Sequence, residues 1–127
     1  MNAYNPHRST ARVLIIEPLP IMSLGLSCVC KRQGFAHIDQ ARDGYAALEL
    51  LRKQSYNVIV LALNLPDRMR VALAAQRNGP TWMIGVGHQH GPFGGVDVVV
   101  SPEDPIEIML EALDSGFPAA TLRDLTG

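Results

Sequence analysis

The chain has 127 residues, 47% of them apolar and 18% charged, with a net charge of −1. That suits one domain with a sizeable core and excludes a disordered or acidic-tail protein, while the near-neutral balance excludes the basic footprint of a nucleic-acid or anionic-membrane binder. No apolar run approaches the ~20 residues that span a bilayer, and "MNAYNPHRSTAR" lacks the apolar stretch of a secretion signal, so the expected setting is the cytoplasm.

Residues 1–11 read as a flexible lead-in, 12–116 as the domain and 117–127 as a tail. "RVLIIE" (12–17) is a short apolar strand. "PIMSLGLSCVCKRQG" (20–34) reads as a helix, with Pro at its start and Gly just past its end. Its Met22, Leu26, Val29 and Cys30 share one face, expected to pack on the sheet. Cys28 and Cys30, two apart on a helix, diverge, so neither a disulfide nor a metal pair is expected.

"AHIDQA" is a weak strand, and Asp43 then caps a helix over "GYAALELLRKQ". "NVIVLAL" is the most strand-like run and breaks at "NLPD". "RMRVALAAQR" is a short helix ended by Asn78-Gly79-Pro80. "TWMIGV" and "VDVVV" are the fourth and fifth strands. Asp104 to Glu107 resembles a capping box that opens the last helix, whose Ile106, Met109, Leu110 and Leu113 are expected inward. Strands alternating with helices at this spacing imply an α/β fold with a parallel sheet.

"ARDGYAALELLRKQSYNVIVLALNLPD" and "VSPEDP", in their order and spacing, resemble the response-regulator receiver (CheY-like) domain over residues 12–115. The resemblance implies a flavodoxin-like (βα)5 fold, a doubly wound parallel sheet of five strands. In that family two acidic residues after strand one and an Asp ending strand three hold Mg²⁺, and that Asp takes a phosphoryl group from phosphohistidine. A Thr or Ser after strand four and a Lys after strand five then read the phosphoryl group. Aligned residue by residue, the acidic pair falls on Glu17 and Pro18, the acceptor on Ala62, and the two readers on Gly87 and Ser101. A methyl group cannot accept phosphate, and one carboxylate beside a proline is a poor Mg²⁺ site. The expectation is a degenerate pseudo-receiver with no cofactor, no metal and no enzymatic activity. Asp43 and Asp67 are read as a cap and a loop residue rather than as displaced acceptors.

Only "HQHGPFGG" and Val96 separate Gly87 from Asp97, with four Gly or Pro among them. The fourth helix is therefore expected to be lost or reduced to a turn.

Two functional surfaces are expected. Ile21, Leu24, Gly25 and Cys28 form a second apolar stripe on the first long helix, suited to a protein contact. The expected role is a stand-alone adaptor in a bacterial two-component-type pathway, binding a histidine kinase, another regulator or itself, with a homodimer foremost. The alternative is a small-molecule or nucleotide sensor using the glycine-rich loop (Gly85, Gly87, His88, His90, Gly94, Gly95). His88 and His90, two apart, point to opposite sides of an extended loop and fix no third ligand, so no metal is expected there.

Overall fold

The computed structural model describes residues 6–88 and 94–117. In chain order it runs α1 (Pro6–Thr10), β1 (Arg12–Ile16), α2 (Pro20–Arg32), β2 (His37–Ala41), α3 (Gly44–Lys53), β3 (Val58–Ala62), α4 (Arg68–Arg77), β4 (Trp82–Val86), β5 (Val98–Val100) and α5 (Ile106–Gly116). The five strands pair in parallel in the order β2-β1-β3-β4-β5, the flavodoxin-like arrangement.

Strand periodicity divides the core in two. Leu14, Ile16, Ile59 and Leu61 pack under α3 and α4 with Ala47, Leu51, Val71 and Ala75. Val13, Ile15, Val58 and Val60 face the other way, against Cys30 of α2 and Met109 and Leu113 of α5. All five residues of β3 are buried, as a central parallel strand requires.

The expectation of a lost or reduced fourth helix is corrected. Among the described residues the chain carries five helices, and the fourth in chain order, α4, the one read from "RMRVALAAQR", is a regular helix of 10 residues. Its sequence, Ala, Leu, Met, Arg and Gln around a single valine, consists mainly of strong helix formers. The count includes α1, five residues long and below the length at which periodicity speaks. Between β4 and β5 the description covers Gly87, His88 and 94–97, which form bends and turns.

Helix faces also differ from expectation. On α2 the buried residues are Ser23, Ser27 and Cys30, with Leu26 and Val29 only partly buried. Small hydroxyls let this helix sit close to the sheet, and Ser23 Oγ donates to Gln40 Oε1 at 3.0 Å. On α5, Ile106 is exposed while Ala112 takes a core position. Pro105 is its N-cap and makes no side-chain cap. Asp104 Oδ2 instead accepts from Ser101 N at 2.9 Å. The Asp43 cap is as expected: Oδ1 accepts from Ala46 N at 2.8 Å.

Residues 6–11, set apart from the domain by sequence, carry α1 and its buried Arg8. The guanidinium donates from Nε to Phe117 O at 2.9 Å and from Nη1 to Gln33 O at 2.8 Å, and Nη2 pairs with Asp114 Oδ1 at 2.5 Å. It lies 5.0 Å from the Phe35 ring centroid. One side chain thus joins α1 to the C-terminal ends of α2 and α5.

Cys30 lies beneath this clasp, and burial pushes its thiol up to about 12, with the Arg8 cation pulling weakly the other way. Cys28 is exposed. Iodoacetamide at pH 8 is therefore expected to alkylate Cys28 alone in the native protein, and both thiols only after denaturation. Two alkylated cysteines in the folded state would contradict the packing. Among the described residues, no helix is long and apolar enough to cross a membrane.

Candidate functional site

In an open parallel sheet, ligands bind beyond the C-terminal ends of the strands, where the strand order reverses. That point falls between β1 and β3, and a cleft of about 280 Å³ opens beside it. It is lined by Glu17 after β1, Leu19 and Met22 at the start of α2, Ala62 and Asn64 at the end of β3, and Val86, Gly87, His88 and Pro102. The sheet ladder fixes these positions: Glu17 N donates to Ala41 O, Leu63 N to Val86 O, and Gly87 N to Val100 O.

The structure thus brings together three of the five positions aligned with the phosphorylation site, Glu17, Ala62 and Gly87. Pro18 is exposed and lies outside the lining. Ser101, also outside it, turns its hydroxyl to Glu103 Oε2 at 2.7 Å. His88 Nδ1 meets the same oxygen at 3.1 Å. The Ser101 hydroxyl, with a smaller contribution from His88, holds the Glu103 carboxyl below its usual range. A carboxylate that the sequence reading did not single out therefore stands at the end of β5. The signal for it was only its place in "VSPEDP".

Glu17 is raised above the ordinary carboxyl value because the cleft removes water from it, while the Leu19 N–H opposes this. A raised folded value means the folded state holds the proton more tightly than the unfolded chain does. The stabilisation is complete below pH about 4.5 and is lost as pH rises through the folded value. Glu17→Gln is therefore expected to raise the urea midpoint at pH 7 and leave it nearly unchanged at pH 4. A lower midpoint at pH 7 would show that the ionised carboxylate has a favourable partner.

The glycine-rich loop is divided. Gly85 lies within β4, where an added Cβ would press on Leu63 and Val96, so its smallness serves packing. Gly87 and His88 border the cleft. Gly94 and Gly95 lie against α4, beside Met69 and Gln76, with Gly95 at φ +86°. His90 lies outside the described residues. Asp67, at the start of α4, sets its carboxylate over Gly44, where a Cβ would overlap it. There it faces the N-terminus of α3 rather than a cation. Among the described residues, no group of three or more His, Cys, Asp or Glu side chains is placed to hold a metal ion.

The outer stripe of α2 is free of the core: Ile21 is 81% and Leu24 60% exposed, and Gly25 and Cys28 are exposed beside them.

No family profile and no curated protein matches the sequence. Solved structures do match the fold. A CheY-like response regulator receiver domain from Methylobacillus flagellatus superposes with a TM-score of 0.71 at 18% identity, over 84% of this chain and 98% of that one. The N-terminal domain of a response regulator/sensory box/GGDEF protein from Carboxydothermus hydrogenoformans gives 0.72 at 15%, over 83% and 92%. A response regulator, TrrA, from Thermotoga maritima, solved in complex with Mg²⁺ and BeF, gives 0.72 at 18%, over 84% and 99%. The chain therefore has the receiver fold. At such identities the chemistry must be argued from its own side chains.

Proposed function

We propose that this chain is a pseudo-receiver that cannot be phosphorylated and acts as a protein-binding signalling module in a two-component-type pathway. One observation carries the reading. The residue that ends β3, where the resemblance puts the phosphoryl acceptor, is Ala62, buried to 4% exposure in a mainly apolar cleft. Glu17 is the cleft's one carboxylate, with neither a second acidic residue nor a lysine among the lining residues to complete an acceptor site. The contact surface in this reading is the outer face of α2, with Ile21 and Leu24 at its centre and a second copy of the chain as partner. The nucleotide-sensor alternative has less support, because Glu17 repels an anion at the cleft and Gly94 and Gly95 are occupied against α4.

The test is native mass spectrometry at high ionic strength, with and without acetyl phosphate and Mg²⁺. The expected species is an unmodified dimer that becomes a monomer in Leu24→Asp. A phosphoryl adduct would overturn the loss of the acceptor, and a monomeric parent would overturn the α2 dimer.

A further inference from the structure

Two helices on opposite faces of the sheet, α4 and α5, carry opposite charge. α4 has Arg68, Arg70 and Arg77 and no acidic residue, whereas α5 has Glu107, Glu111 and Asp114 and no basic residue. Both also expose large apolar side chains: Met69 and Leu73 on α4, at 51% and 53%, and Ile106 and Ile108 on α5, at 51% and 37%.

Between α3 and α4 runs a groove of about 490 Å³ lined by Leu48, Arg70, Leu73, Ala74 and Arg77. Arg70 and Arg77 stand two helical turns apart, about 10 Å, on either side of the apolar floor. Among the described residues neither guanidinium is in an ion pair, and neither are the carboxylates of Glu107 and Glu111. A cationic rim around an apolar groove fits an amphipathic helix with carboxylates beside its apolar residues. The chain itself carries such a helix in α5.

The two cannot meet within one molecule. α4 packs on the face of Leu14 and Leu61, and α5 on the face of Val13 and Val60, with the sheet between them. The net charge of −1 leaves little overall repulsion between copies. We infer that the α3–α4 groove receives α5 of a second copy, giving a head-to-tail contact sensitive to salt. Because groove and helix lie on opposite faces, the contact is heterologous, and each copy leaves one free groove and one free helix for further growth.

This surface is separate from the α2 face, so the experiment uses the full chain carrying Leu24→Asp to silence that face. Sedimentation velocity in low salt is expected to show concentration-dependent oligomers, with affinity falling roughly tenfold or more in high salt. Two variants are then made, Arg70→Gln/Arg77→Gln without a working groove and Glu107→Gln/Glu111→Gln without a working helix, the charges being neutralised rather than reversed so that the two altered surfaces do not complement each other, and each is checked for folding by circular dichroism. Each alone is expected to be monomeric. Their low-salt mixture is expected to form a 1:1 dimer and nothing larger, because the first variant's intact α5 enters the second's intact groove. A mixture that stays monomeric, a single variant that still oligomerises, or a parent monomeric in low salt would overturn the inference.

Discussion

Arg8→Ala is expected to lower the unfolding free energy by about 3 kcal/mol and the thermal midpoint by roughly 10 °C. Arg8 is 2% exposed and serves two backbone carbonyls and one carboxylate at the C-terminal ends of two helices, α2 and α5. Truncation would leave Gln33 O and Phe117 O, at the ends of two helices, without their charged donor. It would also remove the cation beside Phe35, whose ring lies 5.7 Å from that of Phe117. The Asp114 pair adds less, since that carboxylate is half exposed and can return to water. Arg8→Lys is expected to recover only a minority of the loss, because one ammonium cannot span all three acceptors. Urea denaturation measures the loss, and Cys30 alkylation locates it: freeing α1 should open the thiol to reagent while the domain stays folded. A fall in midpoint of under about 3 °C, below 1 kcal/mol, would mean the clasp is not structural.

That clasp marks where sequence reasoning stopped. The strands were legible because "RVLII" and "VIVLA" are continuous β-favouring runs that only a buried parallel sheet can accommodate. α3 was legible through the Asp43 cap and its apolar face, and α4 through propensity and its Asn-Gly-Pro stop. Arg8 was not legible, because arginine is almost never fully buried without partners, and its partners come from residues 25 and more positions away. The inward face of α2 was legible only in part, for a related reason: Leu26, Val29 and Cys30 do pack on the sheet core, but the two buried serines were not foreseen. Periodicity ranks residues by apolarity, whereas close packing on β1 and β2 selected the small Ser23 and Ser27 and left Met22 to line the cleft.

Asp97 shows the same limit at the sheet edge. "VDVVV" reads as one strand, yet β5 begins at Val98. Asp97 accepts Met83 N on its carboxylate at 2.7 Å and donates its own N–H to Met83 O at 2.8 Å. A side chain has replaced one rung of the ladder. Of the cleft, Glu17, Ala62 and Gly87 were legible from their places in the aligned motif. Glu103, which ties Ser101 to His88, was not, because the chain turn at Ser101 to Asp104 is set by hydrogen bonds that no motif announces.

Ala62→Asp carries the other large expected effect, since it puts a carboxylate where the resemblance places the phosphoryl acceptor. The variant is expected to lose about 2 kcal/mol of stability at pH 7 and to remain unlabelled by acetyl phosphate with Mg²⁺. Ala62 is buried among Ile16, Leu61 and Leu65, so a carboxylate there gives up hydration, although the cleft mouth lets it keep part. Glu17 lines the same cleft, and two neighbouring carboxylates without a cation raise each other's proton affinity. The cost should therefore shrink at pH 4, where both carry protons. Mg²⁺ does not offset it unless the pair binds the ion, and Pro18 contributes no oxygen from its side chain to help. Nor does any lysine wait to neutralise a transferred phosphoryl group, because Ser101 stands at that position with its hydroxyl committed to Glu103. Urea melts at pH 4 and pH 7, with intact-mass analysis after acetyl phosphate treatment, separate the two effects. A variant that is labelled, or that Mg²⁺ stabilises, would mean the cleft still holds most of a phosphorylation site and lacked only the nucleophile.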